Sequence, residues 1–213
     1  MSSETTADRQ RRAGRPTLTE AAELTARILD AAEASFIARG FQGTTIVQLA
    51  EDCGVTRRSI MARFAGRDEL LIAVCARDTM HYGPQLRSVV IGEDRYWDDL
   101  ENLVRKLWER GADMKQGALL RTYLGEASRL PELAGLIRGF YNELTEVLEE
   151  KILQLQRGGL FRNFKASTVA TTAISLVISN PRIRTMLLDP TFNDPVIVER
   201  YFNDAWLLIR EMA

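Results

Sequence analysis

Four arginines fall within eleven positions of the stretch 54-GVTRRSIMARFAGRDEL-70: Arg57, Arg58, Arg63 and Arg67. A guanidinium is a planar fork of donors that can grip a guanine edge or a phosphate through two bonds at once, so this cluster suits nucleic-acid contact. On a helix that starts after Thr56, Ile60 and Phe64 stand at i and i+4 and must point inward. Steps of 100° per residue then set Arg58 and Ala62 opposite the core, with Ser59 and Met61 flanking them. Arg57 lies in the first turn, the part of such a helix that meets base edges. Arg63, Arg67 and the hydroxyls of Thr56 and Ser59 suit phosphates, which fix position rather than sequence. The competing reading is a solvated charged face, and the surrounding elements decide between the two.

Those elements are helices. Leu24, Ile28, Ala32 and Phe36 mark a first helix over 20–39, which Gly40 stops. A second begins at Thr44 or Thr45, where Gln48 three residues after Thr45 forms a possible capping box, and ends near Cys53. A third runs from after Thr56 to about Phe64, and a fourth from Asp68 to Gly83-Pro84. Two short helices crossing steeply need a small residue at their approach, a turn residue tolerant of positive φ, and apolar locks. Ala50, Gly54 and the set Leu49, Val55, Ile60 and Phe64 supply these, so 45–64 reads as a helix-turn-helix. Coarser signals give helices near 97–114, 117–128, 131–157, 166–179 and 194–212, with Asn180-Pro181 stopping or kinking the next-to-last. The expected fold is all-α, with about nine helices.

Composition narrows the function. The 213 residues are 46% hydrophobic and 27% charged, enough for a core in a soluble chain. No apolar run is long enough for a membrane span, the N-terminus lacks a secretory pattern, and Cys53 and Cys75 stand in no metal or redox spacing. A cytoplasmic protein with free thiols is expected. Net charge is −1, but residues 1–67 hold ten arginines against eight acids, and Arg9, Arg11, Arg12 and Arg15 crowd an arm without an intervening acid. With one histidine, His81, no nucleophile motif, no phosphate loop and no ligand cluster, no catalytic residue, cofactor or metal is expected.

The segment 28-ILDAAEASFIARGFQGTTIVQLAEDCGVTRRSIMARFAGRDEL-70 resembles the DNA-binding domain of the tetracycline-repressor (TetR) family. The resemblance rests on Ile-Leu-x-Ala-Ala, Phe36 before Gly40-Phe41, Thr-Thr before x₃-Leu-Ala, Gly-Val before a hydroxyl cap, and Phe64 before a basic-acidic-Glu-Leu helix start. It implies a basic arm at 1–17, a helix-turn-helix domain at 18–66, and a helical ligand-binding and dimerisation domain at 67–213. The implied function is a homodimeric regulator, usually a repressor, that binds a palindromic double-stranded DNA operator and is released by a small molecule of unknown identity. By position, Arg57, Arg58 and Met61 would face bases and Thr45, Ser59, Arg63 and Arg67 phosphates. Gln48 or Val47 would lie at the groove edge, Thr44 and Thr56 are further candidates, and Arg15 would enter a minor groove. Met61 stands where the family usually has Tyr, and Arg58 where Gly or Pro is frequent, so the operator sequence is this chain's own. The resemblance also implies an effector pocket, with His81, Trp108, Met114, Tyr123 and Tyr141 as candidates. The last two helices would form the dimer face through Val169, Ala173, Val177, Val198, Phe202, Ala205 and Ile209. The alternative is a helical adaptor or small-molecule-binding protein without sequence-specific DNA binding.

Overall fold

The computed structural model describes residues 18–80, 82–92 and 94–213, and among them every regular element is helical. The expectations for the arm at 1–17, for Arg15 and for His81 lie outside the described residues. In chain order the α-helices are α1 (Leu18–Gly43), α2 (Ile46–Cys53), α3 (Arg57–Met61), α4 (Arg67–Met80), α5 (Tyr82–Arg87) and α6 (Tyr96–Ala112). Then come α7 (Met114–Ala127), α8 (Pro131–Arg157), α9 (Ala166–Ile174), α10 (Asn180–Met186) and α11 (Pro195–Glu211). A π turn, Ser175–Ser179, joins α9 to α10 as one rod, so apart from the six-residue α5 the described residues form nine α-helical rods, as expected. No helix among the described residues is long and apolar enough to cross a membrane.

Local chemistry sets the ends of the short helices. Gly40 takes φ 67, a left-handed backbone that breaks the regular course of α1 where the sequence placed its stop. The Thr45 hydroxyl accepts from the Gln48 N–H and donates to the Gln48 side-chain oxygen at 3.0 Å, a variant of the expected capping box. Gly54 closes α2 at φ 64, its N–H reaching the carbonyls of Ala50 and Glu51, and the next N–H, of Val55, bonds Ala50 at 2.9 Å. A Cβ is disfavoured in that conformation, which is why the turn needs glycine. Thr56 caps α3 by accepting from the Ser59 N–H. This helix ends at Met61, three residues before the expected limit, although Phe64 N–H still bonds the Ile60 carbonyl.

Packing divides the apolar residues into two cores. One gathers Ile28, Ala32 and Phe36 of α1, Leu49 and Ala50 of α2, Ile60, and Phe64 around Leu70, Leu71, Val74 and Cys75 of α4. Leu119 and Tyr123 of α7 and Leu133 of α8 join it, so α4 packs with the head while α7 and α8 close over it. The other core fills the body between α6, α8, α9 and α11.

The rod from α9 to α10 departs from the sequence expectation. Pro181 has no N–H to give a carbonyl four residues back, and the expected result was a stop or kink after 179. Instead the helix widens for one π turn, with Asn180 N–H bonding the Ser175 carbonyl, and continues to Met186. The Val177 carbonyl lies against Gly111 of α6, where an added Cβ would sit 2.6 Å from it. That close approach brings α10, with Arg182 and Thr185, into the interior.

Two glycines should respond to alanine with opposite signs. Gly54→Ala forces a side chain into the left-handed region, a cost of about 1–2 kcal/mol, and should lower Tm by about 2–8 °C. Gly125→Ala, in open space on α7, should leave Tm unchanged or raise it. Thermal denaturation followed by circular dichroism checks both; equal responses would contradict the assigned turn.

Candidate nucleic-acid interface

The third helix offers its outer face because its inner face is fully committed. Ile60 is wholly buried and Phe64 nearly so, while Arg57 and Arg58 are exposed and Met61 is 40% exposed. Val47 on α2, beside the half-buried Gln48, stands out at 52% exposure. The Thr56 and Ser59 hydroxyls lie 2.9 Å apart at the start of α3, next to Arg57. The Arg63 guanidinium donates to the Ser59 carbonyl at 2.9 Å. Arg57, Arg58, Thr45, Gln48, Thr56, Ser59, Met61 and Arg63 thus lie on or beside the two short helices, as the sequence predicted.

Charge pairing sharpens this face. Asp52 pairs with Arg39 at 3.2 Å, Asp30 and Glu33 with Arg77 at 2.6 and 2.7 Å, and Asp68 with Arg129 at 2.6 Å. Among the described residues, no carboxylate forms an ion pair with Arg57, Arg58 or Arg63. These four acids of the head and its junction are held by arginines elsewhere, and the positive charge of α3 is left for a partner. The doubly bonded Arg129 guanidinium holds the Asp68 carboxyl below the usual carboxylate range.

Two expected contacts are corrected. Thr44 is completely buried; its hydroxyl bonds the Gly40 carbonyl at 2.9 Å and the Ser35 hydroxyl at 2.8 Å, so no phosphate reaches it. Arg67 points into the head. Its guanidinium donates to the carbonyls of Phe41 at 3.1 Å and Thr44 at 3.0 Å and lies 4.7 Å over the Phe41 ring. It is a clamp on the segment between α1 and α2, not a free phosphate ligand.

This geometry has known counterparts. The sequence model described as bacterial regulatory proteins, tetR family, matches residues 28–74. The chain is 28% identical to an uncharacterized HTH-type transcriptional regulator in the dhlA 5′ region of Xanthobacter autotrophicus over 161 residues, covering 72% of this chain and 74% of that one. Identity is 44% to the HTH-type transcriptional regulator SrpR of Pseudomonas putida, over 62 residues that make up 29% of each chain. A crystal structure of a TetR-family transcriptional regulator from Mesorhizobium loti has a TM-score of 0.77 at 19% identity, covering 91% of this chain and 97% of its own. Residues 28–74 match the DNA-binding domain of the tetR family, and the whole chain has the fold of TetR-family regulators.

Behind this head lies a body in which the expected sites can be located. Tyr123 and Tyr141 line an internal cleft between α4, α7, α8 and α10, together with Asp78, Arg110 and Arg182. Trp108 does not. It is 3% exposed and packs in the body core against Phe192, Tyr201 and Phe202, with ring centroids 5.9–6.3 Å away. Met114 is likewise packed against that core rather than on the cleft. Arg182 was missed because Asn180-Pro181 was taken as the helix end. The helical spacing Ile174, Ile178, Arg182, Thr185 was the signal that the rod continues.

The residues expected at the dimer face are also corrected. Val169, Ala173, Val177, Phe202, Ala205 and Ile209 are all under 5% exposed within the single chain, and Val198 is packed against the same core. Their stripe serves the chain's own interior. A partner would meet the residues turned outward, among them Ile183, Leu187, Leu207 and Leu208, each more than half exposed.

Arg67→Ala should therefore act on folding. Removing a charged donor from two carbonyls and an aromatic face costs about 1–3 kcal/mol, seen as a lower urea midpoint. Arg57→Ala should leave that midpoint unchanged. A stable Arg67 variant that has lost only DNA affinity would return Arg67 to the phosphate role.

Proposed function

We propose that the chain is a TetR-family regulator that binds a palindromic operator as a homodimer and is released by a small molecule, acting as a repressor. The observation that carries the reading is the exposure of Arg57 and Arg58, without acidic partners among the described residues, on a helix anchored by the buried Ile60. A guanidinium without a protein partner keeps its full donor set for base edges and phosphates. Both arginines come from the first turn of α3, the end that enters the major groove in helix-turn-helix proteins. Met61 beside them supplies an apolar surface of the kind that meets a thymine methyl.

Two-fold symmetry would set two such helices roughly 34–36 Å apart, one turn of DNA. The outward apolar residues of α10 and α11 supply the surface for self-association, since that much exposed leucine is better covered than wetted. A regulator works where the DNA is, so the cytoplasm is its place. The head from 18 to 66 reads DNA, the body from 67 onward binds the effector and the second copy, and the basic arm with Arg15 adds charge near the groove. Release requires that the effector favour a dimer geometry incompatible with DNA, because equal affinity for both states shifts nothing.

Fluorescence anisotropy on the chain's own upstream DNA, titrated with salt, tests the reading. Affinity should fall linearly on logarithmic axes, by about 0.9 per phosphate contacted. Arg57→Ala or Arg58→Ala should cost about 1–3 kcal/mol and relax preference at one base position. Absent or salt-insensitive binding favours a helical adaptor instead. Separately, Leu207→Glu with Leu208→Glu should shift sedimentation from dimer to monomer; a dimer that persists places the interface elsewhere.

A further inference from the structure

The internal cleft carries a chemical signature of its own. Its volume is about 350 Å³ counting the mouth. Three buried polar atoms among the described residues lack a hydrogen-bond partner: Arg110 Nε, Arg182 Nε and Tyr123 Oη. All three belong to residues lining this cleft. Each carries a hydrogen to donate, so what the cleft lacks is an acceptor.

Charge gives the same answer. Among the described residues Asp78 is the one carboxylate on the cleft wall, and it pairs with Arg110 at 3.0 Å. Arg182 is 5% exposed and has no carboxylate partner among the described residues; one of its terminal nitrogens donates to the Arg110 backbone carbonyl. Two guanidiniums face one carboxylate. Burial and the neighbouring Arg110 push the Arg182 pKa down, but an arginine does not give up its proton in a protein. The excess positive charge therefore remains, in a place where an unpaired charge is costly. Leu120, Ile137 and Phe140 give the wall an apolar stretch, with Thr79 and Gln116 beside it.

We propose that this cleft binds a small organic carboxylate with an apolar or aromatic body, the carboxylate resting on Arg182 and Arg110 and accepting from the Tyr123 hydroxyl. The same anion competes with Asp78 for Arg110. Asp78 sits near the end of α4, about 16 Å along the helix from Arg67, and Arg110 also donates to the Asp78 backbone carbonyl at 3.2 Å. Freeing Asp78 loosens the grip of the body on α4. A ring-sized body in the cleft also presses on its walls, and α4 is one of them. This second step rests on the ligand-responsive reading; binding of the anion does not.

Isothermal titration calorimetry with phenylacetate and its neutral isostere phenylacetamide tests the proposal on the full chain. Phenylacetate should bind roughly 10–100-fold more tightly than the amide, the range of one or two charge-assisted bonds. Arg182→Met should abolish that preference while Tm holds or rises, because a buried charge is exchanged for an apolar chain of similar length. Tyr123→Phe, which removes only the orphan hydroxyl, should weaken phenylacetate several-fold and leave the fold intact. Equal binding of acid and amide, no binding of either, or an Arg182→Met protein that still prefers the acid overturns the proposal. DNA affinity measured without ligand keeps the readings apart: a protein that binds its operator but ignores phenylacetate is still a regulator without an anion site. Tight phenylacetate binding with no effect on the DNA complex leaves the site and removes the release step.

Discussion

The Arg67 guanidinium lies over the Phe41 ring and donates to the carbonyls on either side of the turn between α1 and α2. Arg67 is the first residue of α4, and Phe41 belongs to the short segment that follows the break at Gly40. One side chain therefore fixes the beginning of α4 to the end of α1 and to the start of α2. The angle at which α2 and α3 leave the head depends on that joint. Without it the Thr44 carbonyl would lose its donor and the Phe41 carbonyl would keep only the 3.3 Å bond from the Thr44 N–H, and buried acceptors without donors are seldom tolerated.

The joint is doubled from the other side. Arg129, just beyond α7, lies 5.4 Å from the centre of the Phe41 ring and grips the Asp68 carboxylate through two bonds. The far end of α4 is held by Arg77 on Asp30 and Glu33 of α1, and by Asp78 on Arg110 of α6. A rod fastened at both ends transmits a displacement rather than absorbing it. The exposed arginines of α3 stand at one end of this arrangement and the cleft at the other, with α4 as the continuous part between them.

Much of the head was legible in the sequence because its signals are local. Thr45, Gly54 and Thr56 mark helix ends through bonds spanning three or four residues, and Ile60 with Phe64 orient α3 by period alone. Thr44 and Arg67 were misread because their partners are set by tertiary packing. Arg67 bonds residues 26 and 23 positions earlier, and a basic residue beside a DNA-reading helix looks the same in sequence whether it faces in or out. The stripe from Val169 to Ile209 failed for a related reason: helical periodicity says that a face is buried, never against what. Arg182 was hidden by a proline, since proline marks a local break, and only the packing of Gly111 against the rod explains why the helix widens and goes on.

The division between arginines that read and an arginine that holds is the central claim, and a crystal structure of the protein on its own upstream DNA examines it directly. Arg57 and Arg58 should then meet base edges or phosphates in the major groove, with the Arg67 guanidinium still on Phe41 and Thr44. An Arg67 side chain swung onto a phosphate, or a complex in which α3 stays clear of the groove, would contradict the account.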